Sequence, residues 1–306
     1  MDVFRYQSTE NSIYAEYIRL LGRSPSAIGN PEEIPFLPVE FFRKHRVLTG
    51  TGEAKMVFES SRTTSTPASK HYVSDPGLYR ESFTRGFELF YGKPDDYRIL
   101  ALLPSYLERK HSSLVFMTDE LIRLSGHPKS GFYLNNLDEL AEQIAEFEEG
   151  GRKTLLLGVS FALADLAEKY PMKLRHAIVM ETGGMKGQRR EMTREELHDL
   201  LKRGLGIQSV HSEYGMTELL SQAYSKGSGV FHCPPWMRVM IRDPYDPLSP
   251  MTRKSSGGIN IIDLANIHSC SFIATQDIGK LTGEGGFEVL GRFDSSDIRG
   301  CNLMVE

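Results

Sequence analysis

From Arg98 to Tyr224 the sequence runs four times through one alternation. It reads RILALLPS then LERKHSSLVFMTDELIRLS, KTLLLGVS then FALADLAEKY, LRHAIVMETGG then TREELHDLLKRG, and IQSVHSEYG then MTELLSQAY. Each short apolar run followed by helical spacing is what a parallel βα unit requires, because the strand is buried on both faces and the next helix covers one of them. The pattern predicts an α/β fold built of mostly parallel βα units. Thr193 followed by Glu196 forms a capping box that fixes the start of one of the helices.

The flanks differ from this centre. From Ser12 to Leu21 the residues Ile13, Tyr14, Tyr17, Ile18 and Leu21 repeat at helical spacing, and Gly22 with Pro25 ends the pattern. The prolines of IPFLPVEFFRKHRVLTG forbid a regular helix there, and AKMVFESS reads as a strand entering a hydroxyl-rich turn. Beyond Gly229 come short β-like runs (WMRVMIRD, GGINIID, SFIATQDIGKL, FEVLGR) separated by Gly, Pro, Asp and Ser. They predict a smaller, mostly antiparallel β subdomain over 229–306, beside an α/β domain over 1–228.

Composition removes several function classes. The net charge is −4 over 306 residues, with Lys and Arg scattered among acids, so there is no basic field for nucleic acid or an anionic membrane. No stretch approaches the roughly 18 continuous apolar residues of a membrane span, and no basic-then-apolar leader opens the chain. A cytoplasmic location is expected. The three cysteines (Cys233, Cys270, Cys301) are too few and too widely spaced for a disulfide framework, which leaves thiol chemistry. Small-molecule or protein partners are expected.

Two segments carry candidate chemistry. Phe58 to Pro67 (FESSRTTSTP) concentrates Ser and Thr directly after a strand, where hydroxyls and backbone N–H groups can surround a polyphosphate; a solvated loop is the plainer alternative. Ser212 to Glu218 (SEYGMTE) follows the strand IQSV and is expected to open a helix, presenting an aromatic ring, a hydroxyl and a carboxylate where α/β sheets bind ligands. The plainer alternative there is a capped helix start with a core Tyr. His232-Cys233 and His268-Ser269-Cys270 lack ligand spacing for zinc, His71 and His111 read as packed or capping, His111, which follows a strand and Pro104, with a place lining a ligand pocket as its alternative, and Trp236 with the Met-rich strand after it reads as core.

These motifs, with Thr275-Gln276-Asp277-Ile278-Gly279 and Gly291-Arg292-Phe293-Asp294, occur in the order and rough spacing of the adenylate-forming superfamily, which includes acyl-CoA ligases and firefly luciferase. Within it the chain most resembles the acyl-protein synthetases of the LuxE type over roughly 34–301, including IPFLPVEFF, LLPSYLERKHSSLVFM and DIRGC, with phenylacetate-CoA ligases next. The resemblance implies the large N-terminal domain of that fold without its usual C-terminal lid domain. It implies ATP and Mg²⁺ as cofactors, a carboxylic acid, taken as a fatty acid, as substrate, and a protein or carrier as acyl acceptor.

By resemblance, Ser60, Ser61, Thr63 and Thr64 contact the phosphates, Tyr214 of Tyr214-Gly215 packs on adenine, and Thr217 touches the α-phosphate. Glu218 binds magnesium, Asp277 and Arg292 hold the ribose hydroxyls, and Cys301 accepts the acyl group as a thioester. Gly183-Gly184 let backbone approach the adenine or substrate. Arg62 and Ser65 stand where the family loop has glycines; an Arg would strain a positive-φ position, or would add a cation at the phosphates. The alternatives to an acyl-protein synthetase, a ligase that is also an acyltransferase, are a CoA ligase needing a partner domain and a nucleotide- or acyl-binding module without turnover.

Overall fold

The computed structural model describes residues 1–60, 67–104, 111–134, 136–151, 153–183, 192–244, 246, 248, 256–283 and 285–293. Contacts divide the chain into two compact units, Gly52–Pro234 at its centre and a split unit of Met1–Thr51 with Pro235–Glu306. Residues Met1–Thr51 group by contacts with Pro235–Glu306, partners far away in sequence. Contact partners of that kind, far away in sequence, leave no local signature.

In the split unit, α1 (Asp2–Glu10) and α2 (Ser12–Leu20) are joined at Asn11, whose side chain accepts from Tyr14 N–H and so caps α2. Phe4, Tyr14 and Phe36 converge on Phe272, with ring centroids 5.8–6.2 Å apart. The two-residue strand β1 (Leu37–Pro38) pairs parallel with a strand of the later sheet, and α3 (Phe41–Lys44) follows.

The central unit starts with the hairpin β2 (Met56–Glu59) and β3 (Lys70–Val73) and the helix α4 (Pro76–Tyr91). Next come β4 (Arg98–Leu102), α5 (Ser113–Ser125), β5 (Gly131–Tyr133), α6 (Leu137–Glu149), β6 (Thr154–Val159) and α7 (Ser160–Lys169). Then follow β7 (Ala177–Thr182), α8 (Arg194–Leu205), β8 (His211–Tyr214), β9 (Ala223–Ser225) and the short β10 (Val230–Phe231). The sheet order is β5-β4-β6-β7-β8-β9, parallel except for the antiparallel β8–β9 pair. Every residue of β6 is buried, which is why TLLLGV reads as an unbroken apolar run. Helix α8 lays Leu197, Leu201 and Leu205 on the core and starts with both halves of the predicted capping box.

Two elements differ from the sequence pattern. The segment MTELLSQAY is not a helix: Leu219 N–H closes a turn on Met216 O at 3.1 Å, and the chain then returns as β9 beside β8. Leu219, Leu220, Ala223 and Tyr224 are buried, so they have the spacing of a helix face while tertiary packing holds them in a turn and strand. The strand itself runs over His211–Tyr214, four residues later than IQSV, so the motif sits on a strand end. The pair β5 and α6 is an additional βα unit.

The later strands β11 (Met237–Arg242), β12 (Gly257–Asp263), β13 (Phe272–Leu281) and β14 (Phe287–Arg292) form the expected antiparallel succession, with β1 on β13. Their burial alternates along β11 and most of β13, the mark of a sheet with one covered face. Among the described residues no helix is long and apolar enough to cross a membrane.

Candidate functional site

The hydroxyl-rich loop is closed at its base by three contacts across β2 and β3. Ser60 N–H donates to Ser69 O at 3.0 Å, Ser69 N–H donates to Ser60 Oγ at 2.9 Å, and Lys70 pairs with Glu59 at 3.5 Å. Ser60 therefore spends acceptor capacity on holding the loop shut. Phe58, 2% exposed, anchors the hairpin against Tyr79 and Phe116 with centroids at 5.3 and 5.6 Å. Ser61, Arg62, Thr63 and Thr64 lie outside the described residues.

On the same unit β8 ends at Tyr214, buried, with its ring 5.9 Å from that of Phe231 and edge to face. Gly215 follows because a side chain there would run into the Glu213 carboxylate. The turn then exposes part of Thr217 and buries Glu218, which is 6% exposed. Two tethers reach this connection from the first part of the unit: His71 Nδ1 to Thr217 O at 2.8 Å, and Ser82 Oγ to Ser221 Oγ at 3.1 Å. His71 is thus packed, as expected. His111 is exposed and accepts from Glu59 N–H through its carbonyl at 2.8 Å.

Beside this motif the carboxyl ends of β6, β7 and β8 bring together polar groups that the sequence alone did not single out. Ser160 Oγ donates to Gly183 O at 2.7 Å and lies 3.2 Å from Glu181 Oε2, while His198 Nε2 lies 3.8 Å from Glu181 Oε1. Thr182 donates its hydroxyl proton to Glu213. Gly183 has φ 74°, a conformation that favours glycine; Gly184 is outside the described residues. Glu213 is half-buried as a residue, yet its carboxyl is the enclosed part. Burial pushes it up to about 7, the Thr182 hydrogen bond opposing and the Glu181 carboxylate adding to the rise. Burial, then Lys226, lowers His211 to about 4, so its neutral ring can accept from Tyr91 Oη at 3.2 Å. A strand pairing, Thr182 opposite Glu213, makes this cluster, and no local pattern announces it.

A carboxyl whose folded value lies above its unfolded one favours the folded state only while it holds its proton, so the native state loses stability as pH rises from about 4.5 to about 7. Glu213→Gln, which never ionises, is expected to match wild type near pH 4 and exceed it above pH 7, with a ceiling of about 3 kcal/mol. Urea melts at several pH values measure this; a constant difference across pH would remove Glu213 as the cause.

In the split unit the two residues assigned to a ribose face each other across β13 and β14, and Arg292 Nε pairs with Asp277 Oδ1 at 3.1 Å. The Asp277 side chain is 11% exposed and that of Arg292 46%, so the guanidinium is the open end of the pair. Arg242, whose pKa burial lowers, supports this strand by donating to Thr275 O at 2.6 Å and to Ile259 O at 2.7 Å. Cys301 lies outside the described residues. Cys270 is fully buried, and burial pushes its thiol up to about 12, while Cys233 is half-buried.

No protein-family model and no curated protein matches the sequence. Solved structures do match its fold. ATP-bound MatB from Rhodopseudomonas palustris superposes with a TM-score of 0.58 at 17% identity, over 79% of this chain and 49% of that one. An open conformation of 2-hydroxyisobutyryl-CoA ligase, in complex with 2-HIB-AMP and CoA, gives 0.69 at 12% identity, over 96% of this chain and 68% of that one. O-succinylbenzoate Coenzyme A synthetase (MenE) from Bacillus subtilis, in complex with ATP and magnesium ion, gives 0.54 at 17% identity, over 77% and 49%. The chain spans about half the length of MatB and of MenE. The structure described above therefore has the mixed α/β fold of the large N-terminal domain of adenylate-forming enzymes.

Proposed function

We propose that this chain activates a carboxylic acid with ATP and Mg²⁺ to an acyl adenylate, and passes the acyl group to a protein thiol. The observation that carries the reading is the turn Tyr214–Glu218 at the carboxyl end of β8, tethered to the β2–β3 hairpin on the fold of adenylate-forming enzymes. The solved relatives with ATP, magnesium ion or an acyl-AMP bound support it at the level of a carboxylate ligase. A fatty acid as substrate and a protein as acceptor rest on the sequence resemblance.

A carboxylate is a poor electrophile. In the proposed first step its oxygen attacks the α-phosphorus, an O–P bond forms and pyrophosphate leaves with the electrons of the bond that breaks. Mg²⁺ would neutralise charge on the phosphates. Among the described residues no cluster of three or more His, Cys, Asp or Glu side chains could hold a metal. Mg²⁺ is commonly bound by one or two carboxylates together with phosphates and water, a role that the buried residue Glu218 fits. Tyr214 would offer its ring to the adenine, Thr217 a hydroxyl to the α-phosphate, and Ser60, Ser61, Arg62, Thr63 and Thr64 donors to the departing phosphates. Gly183 and Gly184 would leave room for backbone to approach the base. The Asp277 carboxylate suits a ribose diol, since it can accept from both hydroxyls, with Arg292 fixing its orientation.

The function is tested by acid-dependent pyrophosphate release across short, long and aromatic acids, with and without CoA. Release with a fatty acid and no CoA supports the reading. Release that requires CoA would favour a CoA ligase, which the fit to 2-hydroxyisobutyryl-CoA ligase makes the second reading. ATP binding without release from any acid would reduce the chain to a binding module. Tyr214→Ala is expected to weaken ATP binding by about 1–3 kcal/mol while Tyr214→Phe keeps it, as titration calorimetry would show; unchanged affinity in a folded Ala variant removes the stacking assignment.

A further inference from the structure

We propose that His71 is a positioning residue that sets the spacing between the Ser60–Ser69 base of the β2–β3 hairpin and the Thr217–Glu218 turn; the catalytic part of this inference rests on the adenylation reading above. His71 lies on β3, opposite Phe58 of β2 and two residues beyond Ser69, where the loop closes. Along β3 the burial alternates so that His71 and Val73 point inward, and His71 is 0% exposed. An inward imidazole costs more than an aliphatic side chain unless its polar atoms are hydrogen-bonded. Its Nδ1 bonds to Thr217 O at 2.8 Å, across a sequence separation of 146 residues. A carbonyl only accepts, so Nδ1 carries the proton.

The direction of that bond gives it consequence. It reaches the backbone carbonyl of the peptide between Thr217 and Glu218, the residues assigned to the α-phosphate and to magnesium, so the orientation of that peptide depends on the ring. Two residues before His71, Ser69 and its partner Ser60 clamp the base of the same hairpin through two hydrogen bonds at 2.9 and 3.0 Å. The ring therefore joins the base of the loop to the turn through one rigid two-stranded element. Ser82 to Ser221, at 3.1 Å, holds the far side of the same connection and would let it pivot but not depart. Loss of the His71 donor is thus a local loosening and not a loss of fold.

The full chain is compared as wild type, His71→Leu, which removes the donor, and His71→Asn, whose amide offers an N–H near the place of Nδ1. Hydrogen exchange over residues 214–222, without nucleotide, should be about tenfold faster in His71→Leu and near wild type in His71→Asn. The Mg²⁺ concentration for half-maximal pyrophosphate release should rise about tenfold in His71→Leu, with the maximal rate regained at high Mg²⁺, and should stay near wild type in His71→Asn. A merely structural role would alter melting temperature alone. If His71→Leu does not fold, His71→Phe keeps ring volume without the donor and takes its place. Unchanged exchange in the folded donor-less variant, or identical behaviour of the Asn and donor-less variants, overturns the proposal. A wild type that releases no pyrophosphate from any acid would end the adenylation reading, while the exchange comparison still decides whether His71 is the tether.

Discussion

Glu218→Gln is expected to yield a folded protein that releases pyrophosphate at least roughly a hundredfold more slowly than wild type at any Mg²⁺ concentration. The side chain is 6% exposed, on the turn that follows β8, and so cannot be dismissed as a solvated surface acid. Buried carboxylates exist because something compensates their charge: hydrogen bonds, a cation of the protein, or a metal. A carboxylate that serves the fold and one that serves a metal respond differently to an amide of the same shape. If the carboxylate serves the fold, Gln removes its compensation and the melting temperature should fall well beyond a few degrees, with activity surviving in the fraction that folds. If it serves Mg²⁺, the protein without metal loses an enclosed negative charge, its melting temperature stays within a few degrees, and adenylation disappears because an amide oxygen is a weak ligand. Thermal melts with and without Mg²⁺·ATP beside pyrophosphate release separate these outcomes. A large stability loss with retained turnover would assign Glu218 to the fold.

How much of this was legible in the sequence depends on the range over which each element is determined. The strands β4, β6 and β7 stand out because a strand buried on both faces must be apolar throughout, and the capping box of α8 is a contact over three residues. The strands β11 to β14 stand out for another local reason, as short β-like runs separated by Gly, Pro, Asp and Ser. The stripe Leu140, Ile144, Phe147 on α6 is equally local, but the strand before it has only three residues, all half-buried, and a four-fold reading passes over the pair. The turn at 216–222 misled because Met216, Leu219, Leu220 and Ala223 satisfy helical spacing while β8 recruits the next residues as β9. The site divides along the same line. Tyr214, Thr217 and Glu218 were visible as a contiguous motif, whereas the Glu213–Thr182 and His71–Thr217 contacts join residues 31 and 146 positions apart and exist only once the sheet has formed. Asp277 and Arg292 were each visible within a motif, but their pairing is a consequence of β13–β14 register.

Cys301→Ser is expected to abolish covalent acylation while leaving pyrophosphate release intact. The chain has three thiols that could accept the acyl group. Only a thiolate attacks an acyl adenylate, and its fraction is set by the surroundings of the sulfur. Cys270 is 0% exposed and burial pushes it up to about 12, so at neutral pH it is a protonated core side chain. Cys233 is half-buried in a segment beside His232. Cys301 follows Arg299-Gly300, and a neighbouring guanidinium favours the thiolate. In the proposed second step the Cys301 sulfur attacks the carbonyl carbon of the acyl adenylate, a C–S bond forms, and AMP leaves with the electrons of the C–O bond. Adenylation precedes that attack and uses no thiol, so the two half-reactions should come apart in the Ser variant. Incubation of wild type with ATP, Mg²⁺ and a radiolabelled fatty acid should label the chain through a bond that hydroxylamine cleaves, as it does a thioester. Label that persists in Cys301→Ser but is lost in Cys233→Ser would move the acceptor to Cys233. Absence of label on wild type, with pyrophosphate release dependent on CoA, would assign the acyl group to a small-molecule thiol and leave Cys301 outside the reaction.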